Sequence, residues 1–326
     1  MKKRIYKGLA MCVTLVLMAM SMLGCGEFLD DEEYYMDESY SDDAQNDDAD
    51  SDLAYTGDVN LLDDSQFPLG SCRKAEGKLV LVSIFADDAS SSWDFENNEN
   101  DLQIYQNMVR QTRIGCDWLE QQAQNYGKNF EIISDFEADE ELFYQAKLDA
   151  QFDDNEYHIE EVKGFIRDSL GGLGEHLLEK YDADNICYAF YFNKSADSQM
   201  SSCAYPYLGP ENMDMPYECT LYSAHVYGEE QGPAMYAHEI LHCFGAPDLY
   251  FENASIEPIY ISQEFSDYCR ENHLNEIMFS NYDVENQCID NERVTNELTD
   301  MTAYYLGWVD YDEECEQFGA LVREDK

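Results

Sequence analysis

The stretch His238-Glu239-Ile240-Leu241-His242-Cys243-Phe244-Gly245-Ala246-Pro247-Asp248 decides how this chain is read. As a helix it places His238 and His242 at i and i+4, on one face and about 6 Å apart along the axis. Two imidazoles so placed grip one zinc ion. Glu239 adjoins a ligand, so its carboxylate reaches a water at the metal as a general base. Gly245 follows three residues after His242 and lets the chain leave the helix through a positive-φ turn and fold back under the metal. Asp248 is then placed to supply a third ligand. The chain has only six histidines, so two of them at this spacing around a glutamate are a specific signal. The competing account is a surface helix with two solvated imidazoles and a glycine cap. Met235, Ile240, Leu241 and Phe244 argue against it, because they give the helix apolar faces to bury.

Working outward, Gln231–Phe244 reads as the whole of that helix, with Pro233 in the first turn and Gly245 just past the end. Before it, Gly77–Phe85 is a continuous apolar run with β-branched residues and reads as a buried strand. Asn100–Tyr126 has helical apolar spacing and stops at Gly127. Asn129–Ser134 and Asn185–Phe192 read as strands, and Glu160–Tyr181 as a helix broken at Gly171-Gly172. Glu218–Tyr227 alternates as a half-buried or edge strand does, and Tyr260–Asn272 and Thr295–Leu306 read as later helices. The order is mixed α/β, without an internal repeat, and predicts one domain over residues 71–326.

With its third position filled by Asp248, the motif resembles that of metzincin-type zinc metalloproteases, in the form HExxHxxGxxD. It is similar to the immune-inhibitor-A and snapalysin groups of secreted bacterial metalloproteases. The usual third ligand of metzincins is His, so Asp248 is a departure from the wider pattern. The resemblance implies an α+β catalytic domain with a mixed twisted sheet, an active-site helix and a mainly helical C-terminal part. It implies a Met-containing turn beneath the zinc, which Met278 in Asn275-Glu-Ile-Met-Phe-Ser fits. It also offers Tyr282 as a stabiliser of the transition state, although Tyr282 lies four residues beyond Met278 where two is usual. The activity implied is peptide-bond hydrolysis on a protein or peptide substrate. The motif covers residues 236–250 closely and 275–308 loosely; before residue 230 the likeness is one of element order.

Other assignments stay open on sequence alone. In a thermolysin-like zinc hydrolase the third ligand is a Glu on a later helix, and Glu264 and Glu271 are then the candidates, with His273 behind them. His158, His176 and His225 read as structural or exposed, and His225, just before the active-site helix, is placed for a substrate-side role as well. The acidic loop Ala86–Asp101 is a candidate for Ca²⁺, against the simpler reading of a solvated loop. Cys72 is a weak candidate for capping the zinc. A non-enzymatic surface-binding lipoprotein with a retained zinc site, and hydrolysis of peptidoglycan peptides, remain rival functions.

The N-terminus carries Lys2, Lys3, Arg4 and Lys7 ahead of the apolar run Leu9–Leu23, the pattern of a secretory signal and too short for a membrane span. Met22-Leu23-Gly24-Cys25 resembles a bacterial lipobox. That implies a signal peptide over 1–24, lipidation at Cys25, anchoring to the cell membrane and an extracytoplasmic cell-surface location. Residues 25–70 then read as a tether: Glu27–Gln66 holds 16 acidic residues and no Lys or Arg, so it offsets little ordering entropy and repels itself. The whole chain has 69 Asp+Glu against 19 Lys+Arg, and residues 67–326 alone keep a net charge of −38. Such a surface excludes nucleic acid as a partner, because phosphate binding rests on Lys and Arg. A monomer is expected. Nine cysteines follow Cys25 with no CxxC pair, which argues against a structural zinc cage and leaves any disulfide connectivity open.

Overall fold

The computed structural model describes Cys72 and residues 74–152, 158–205, 218–226, 228–250 and 261–319. The signal sequence, Cys25 and the acidic tether lie outside the described residues.

The first strand, β1 (Gly77–Asp87), is the spine of a six-stranded mixed sheet. Its neighbour on one side is β4 (Asn185–Phe192), paired in parallel from Leu79↔Asn185 to Ala86↔Phe192. On its other side two short parallel strands follow one another: β2 (Phe130–Ile133) against Gly77–Val80, and β3 (Phe143–Lys147) against Ser83–Asp87. Beyond β4 comes β6 (Glu218–Ser223), parallel, and the antiparallel edge strand β5 (Cys203–Tyr205). A hairpin, β7 (His225–Val226) with β8 (Glu229–Glu230), leads from β6 into the next helix.

Helices cover both faces of this sheet. Parallel strands buried on both faces read as unbroken apolar runs, and all eight residues of β4 (NICYAFYF) are buried. Leu79, Leu81, Phe85, Cys187, Ala189 and Tyr191 point to one face, where α1 (Glu99–Asn125) and α4 (Pro233–Cys243) pack. Val80, Val82, Ile84, Ile186, Tyr188 and Phe190 point to the other, under α2 (Ile159–Ser169) and α3 (Leu173–Tyr181). The C-terminal part has only helices as regular elements among its described residues: α5 (Gln263–Asn272), α6 (Asp300–Tyr305) and α7 (Glu313–Gln317). The architecture is α+β.

Local chemistry explains the boundaries. Asn98 caps α1 by accepting from the Asn100 and Asp101 amides, and Gly127 leaves it at φ +70°. The stripe Met108, Gln111, Thr112, Gly115, Cys116, Leu119 and Ala123 is the buried face of α1. At Gly115 the two helices of that layer nearly touch, since a Cβ there would lie 2.8 Å from the Pro233 carbonyl oxygen and 3.2 Å from the Ala237 amide nitrogen. Cys116, Cys187, Cys219, Cys243, Cys269, Cys288 and Cys315 are in the thiol form, and the Sγ atoms of Cys187 and Cys243 lie 3.7 Å apart.

Two expectations need correction. β6 is an interior strand with all six residues buried, because β5 pairs along its outer side; the polar Glu218 and Thr220, two residues apart, imitate the alternation of a half-buried strand. The helix expected over Thr295–Leu306 is confined to Asp300–Tyr305, since residue 297 is drawn into an extended bridge with Glu276.

Candidate metal centre

The site begins with α4, capped at Gly232 and opened by Pro233 at its first turn. His238 and His242 project from one side of it, their ring centroids 4.6 Å apart and their planes at 90°. At Phe244 the helix ends, and Gly245 adopts φ +85°. That left-handed step turns the chain back, with the Gly245 amide donating to the His242 carbonyl at 2.8 Å. Asp248 thereby arrives opposite the two imidazoles. Its Oδ1 lies 3.0 Å from His238 Nε2 and 3.3 Å from His242 Nε2, and the two Nε2 atoms are 3.1 Å apart. Among the described residues this is the one group of three His, Cys, Asp or Glu side chains that converge as metal ligands do.

The other ring nitrogens show what the converging atoms are for. His238 Nδ1 lies 2.9 Å from the Ile277 carbonyl, and His242 Nδ1 lies 2.8 Å from the Ala246 carbonyl. A carbonyl can only accept, so each Nδ1 carries a proton, and it is Nε2 that each ring turns toward Asp248, as a lone pair once the ring is neutral. With both rings neutral, two lone pairs and a carboxylate oxygen face one another, as ligands around a cation do. Tetrahedral metal–ligand bonds of 2.0–2.1 Å put ligand atoms about 3.3 Å apart, the scale of this triangle. The residues therefore fit a divalent cation, with three protein ligands.

Protons compete for the same atoms. Burial works to lower the His242 value, but the Asp248 carboxylate beside it overrides this and raises it to about 10. His238 moves up for the same reasons. Burial alone would raise the Asp248 carboxyl, yet the two imidazoles hold it below the usual range. Glu239 is 4% exposed, and burial pushes its carboxyl up. Its Oε2 is buried and has no hydrogen-bond partner among the described residues. A buried acceptor left unmade costs about 1–3 kcal/mol, so this oxygen is a costly feature of the fold next to the triangle.

The remaining predicted residues fall as follows. Met278 is fully buried, and its carbonyl accepts from the Leu249 amide at 2.8 Å, next to Asp248. Tyr282 is 38% exposed, and its carbonyl accepts from Asn296 Nδ2. Glu264 and Glu271 lie exposed on α5 and take no part in the triangle, and His273 pairs with Glu314. His176 pairs with Glu141, His158 packs on Phe152, and His225 Nδ1 bonds the Lys194 carbonyl. In the loop 86–101, Asp88 is taken up by Lys194 Nζ, the Ser91 and Phe152 amides and Ser90, and among the described residues no set of three His, Cys, Asp or Glu ligands converges there. Cys72 also stays outside the triangle: its Sγ donates to the Ile186 carbonyl and its amide to Glu218. Sequence reasoning missed Glu276, whose buried carboxylate holds the Met278 turn; only its place two residues before Met278 hinted at it.

No protein-family model and no curated protein matches the chain. Among solved structures it is similar to metalloproteinase-II from Bacteroides fragilis, at 12% identity and a TM-score of 0.35, over 73% of this chain and 55% of that one. It is also similar to a structure of a chaperone-substrate complex, at 12% identity and a TM-score of 0.26, over 53% of this chain and 24% of that one. The chain thus spans about half the length of the first of these and a quarter of the second. The functional reading rests on the residues of the site.

Proposed function

We propose that this chain is a zinc-dependent endopeptidase. The observation that carries the reading is the triangle of His238 Nε2, His242 Nε2 and Asp248 Oδ1 with the buried Glu239 carboxylate, one oxygen of it unpartnered, beside it. Nitrogen and carboxylate ligands in a three-residue set with an open position are the donor chemistry of catalytic zinc. Zinc held there supplies Lewis acidity toward a carbonyl and lowers the pKa of water.

The chain's own residues do the rest. The carbonyls of Ile277 and Ala246 fix the two imidazoles in the tautomer that presents Nε2. Glu239 accepts a proton from the attacking water at its unpartnered oxygen, and its burial, which raises its proton affinity, suits it to pass that proton to the departing amine. Structural zinc sites close their shell with four protein ligands, and such a site would leave Glu239 a buried cost without a benefit. In the same proposal the protein acts at the bacterial surface, tethered through lipid on Cys25, and the −38 charge of residues 67–326 favours neutral or basic substrates.

The test is cleavage of an unstructured protein such as casein by the purified chain. Activity is expected to vanish with chelator, return with zinc, and be lost in Glu239→Gln while zinc stays bound. Full activity in a zinc-loaded Glu239→Gln protein would reject the assignment.

A further inference from the structure

The two nitrogen ligands differ in how they are oriented. His242 is steered by Ala246, four residues away in its own turn. His238 is steered by Ile277, 39 residues away, and so depends on where another segment docks. That segment is a single buried turn, Glu276-Ile277-Met278, each residue at most 1% exposed. It touches the ligand set twice. Its Ile277 carbonyl accepts from His238 Nδ1, and its Met278 carbonyl accepts from the amide of Leu249, the residue after Asp248. One turn therefore sets the aim of the first ligand and the approach of the third.

What holds the turn is the side chain of Glu276. One carboxylate oxygen accepts from the Met278 amide at 2.5 Å and closes the turn on itself. The other accepts from Thr302 Oγ1 at 2.6 Å and from the Thr299 amide at 3.4 Å, which ties the turn to the start of α6. The Ile277 amide donates to the Glu297 carbonyl at 2.8 Å, so the backbone around the carboxylate is spoken for as well. A buried carboxylate is expensive to install, and a purely structural turn could be closed by a neutral side chain.

We propose that Glu276 is a positioning residue of the metal site: its carboxylate locks the 276–278 turn onto α6 and thereby orients His238 and holds the Asp248 segment. The proposal rests on the reading of the triangle as a metal site and is independent of whether peptides are cleaved there. A flexible turn would let the Ile277 carbonyl wander, His238 would lose its fixed tautomer, and Asp248 its fixed approach. Outer partners of this kind change metal affinity by about 10–100-fold.

The experiment uses the full chain, loaded with zinc in chelator competition and separately with cobalt for its d–d absorption. Four proteins are compared: wild type, Glu276→Ala, Glu276→Gln and Thr302→Val, each checked for fold by circular dichroism. Glu276→Ala is expected to bind zinc about 10–100-fold more weakly and to shift the cobalt bands, and Glu276→Gln, whose side-chain NH2 must face the N–H of either Met278 or Thr299, is weakened as well because one tie of the turn is lost. A folded Glu276→Ala protein with wild-type affinity and spectrum overturns the proposal, as does a Gln variant that binds zinc as tightly as wild type. Should Glu276→Ala fail to fold, Thr302→Val decides: weaker zinc binding and shifted bands support the proposal, and unchanged values overturn it. A wild type that binds neither metal removes the site and this inference together. A wild type that binds zinc but cleaves no protein removes only the peptidase reading.

Discussion

Adding one methyl group to Gly115 tests the packing that presents His238 and His242. Gly115 lies mid-helix in α1, against the first turn of α4. In isolation Gly→Ala in a helix interior stabilises by about 0.8–1.0 kcal/mol, through backbone entropy. Here the new Cβ would sit 2.8 Å from the Pro233 carbonyl oxygen and 3.2 Å from the Ala237 amide nitrogen. Both are backbone atoms, so relief requires one helix to move by several tenths of an ångström. Overpacking of this kind costs about 1–3 kcal/mol, so the net effect is destabilisation by up to about 2 kcal/mol. In a domain of this size that lowers Tm by about 2–4 °C per kcal/mol. Gly164 in α2 is the internal control, since a Cβ there meets nothing nearer than Arg167 Nη2 at 3.7 Å. Gly164→Ala should hold or raise Tm by differential scanning calorimetry, and Gly115→Ala should lower it and weaken zinc binding through α4. A Gly115→Ala protein at or above the wild-type Tm would refute the close-approach argument.

Metal uptake should release a proton at neutral pH, because the His242 imidazole is raised to about 10 by Asp248 and the metal must displace that proton. Apparent affinity then rises with pH through the neutral range, and calorimetry in two buffers of different ionisation enthalpy reads the release; identical heats in both buffers would contradict it. Glu276 bears on metal-free stability through its carboxyl, which burial raises from 4.5 to about 7. A folded value above the unfolded one favours the native state fully below pH 4.5, and that contribution is lost as pH rises through about 7, to an extent of about 3 kcal/mol. Glu276→Gln should flatten denaturant-measured stability between pH 5 and 8; an unchanged slope would show that Glu276 titrates normally. Gly245→Ala must bear φ +85° with a Cβ, at about 1–2 kcal/mol, and should weaken zinc binding more than it lowers Tm; equal affinity in the two proteins would show that the turn does not place Asp248.

The ligand triangle was legible because helix geometry and one glycine bring His238, His242 and Asp248 together within eleven residues, without reference to the rest of the fold. The continuous apolar runs of β1 and β4 were legible for a related reason, since burial on both faces leaves no polar alternation to misread. What escaped was set by tertiary partners. Strands β3 and β5 are five and three residues long, too short to show a period, and owe their form to β1 and β6. β6 carries three polar residues in a buried interior position, so its pattern pointed to an edge. Glu276 looks like any surface acid in a chain with 69 of them; only its donors at Met278, Thr299 and Thr302 distinguish it.

The spacing of the ligands also has a consequence for the order of assembly. His238 and Asp248 are ten residues apart, so the loop that joins them closes at small entropic cost and at an early stage of folding. The Ile277 carbonyl that aims His238 is 39 residues away and arrives only when the C-terminal part docks. The meeting of His238, His242 and Asp248 and the aiming of His238 are therefore set by contacts of very different sequence separation, the first local and the second dependent on the C-terminal part.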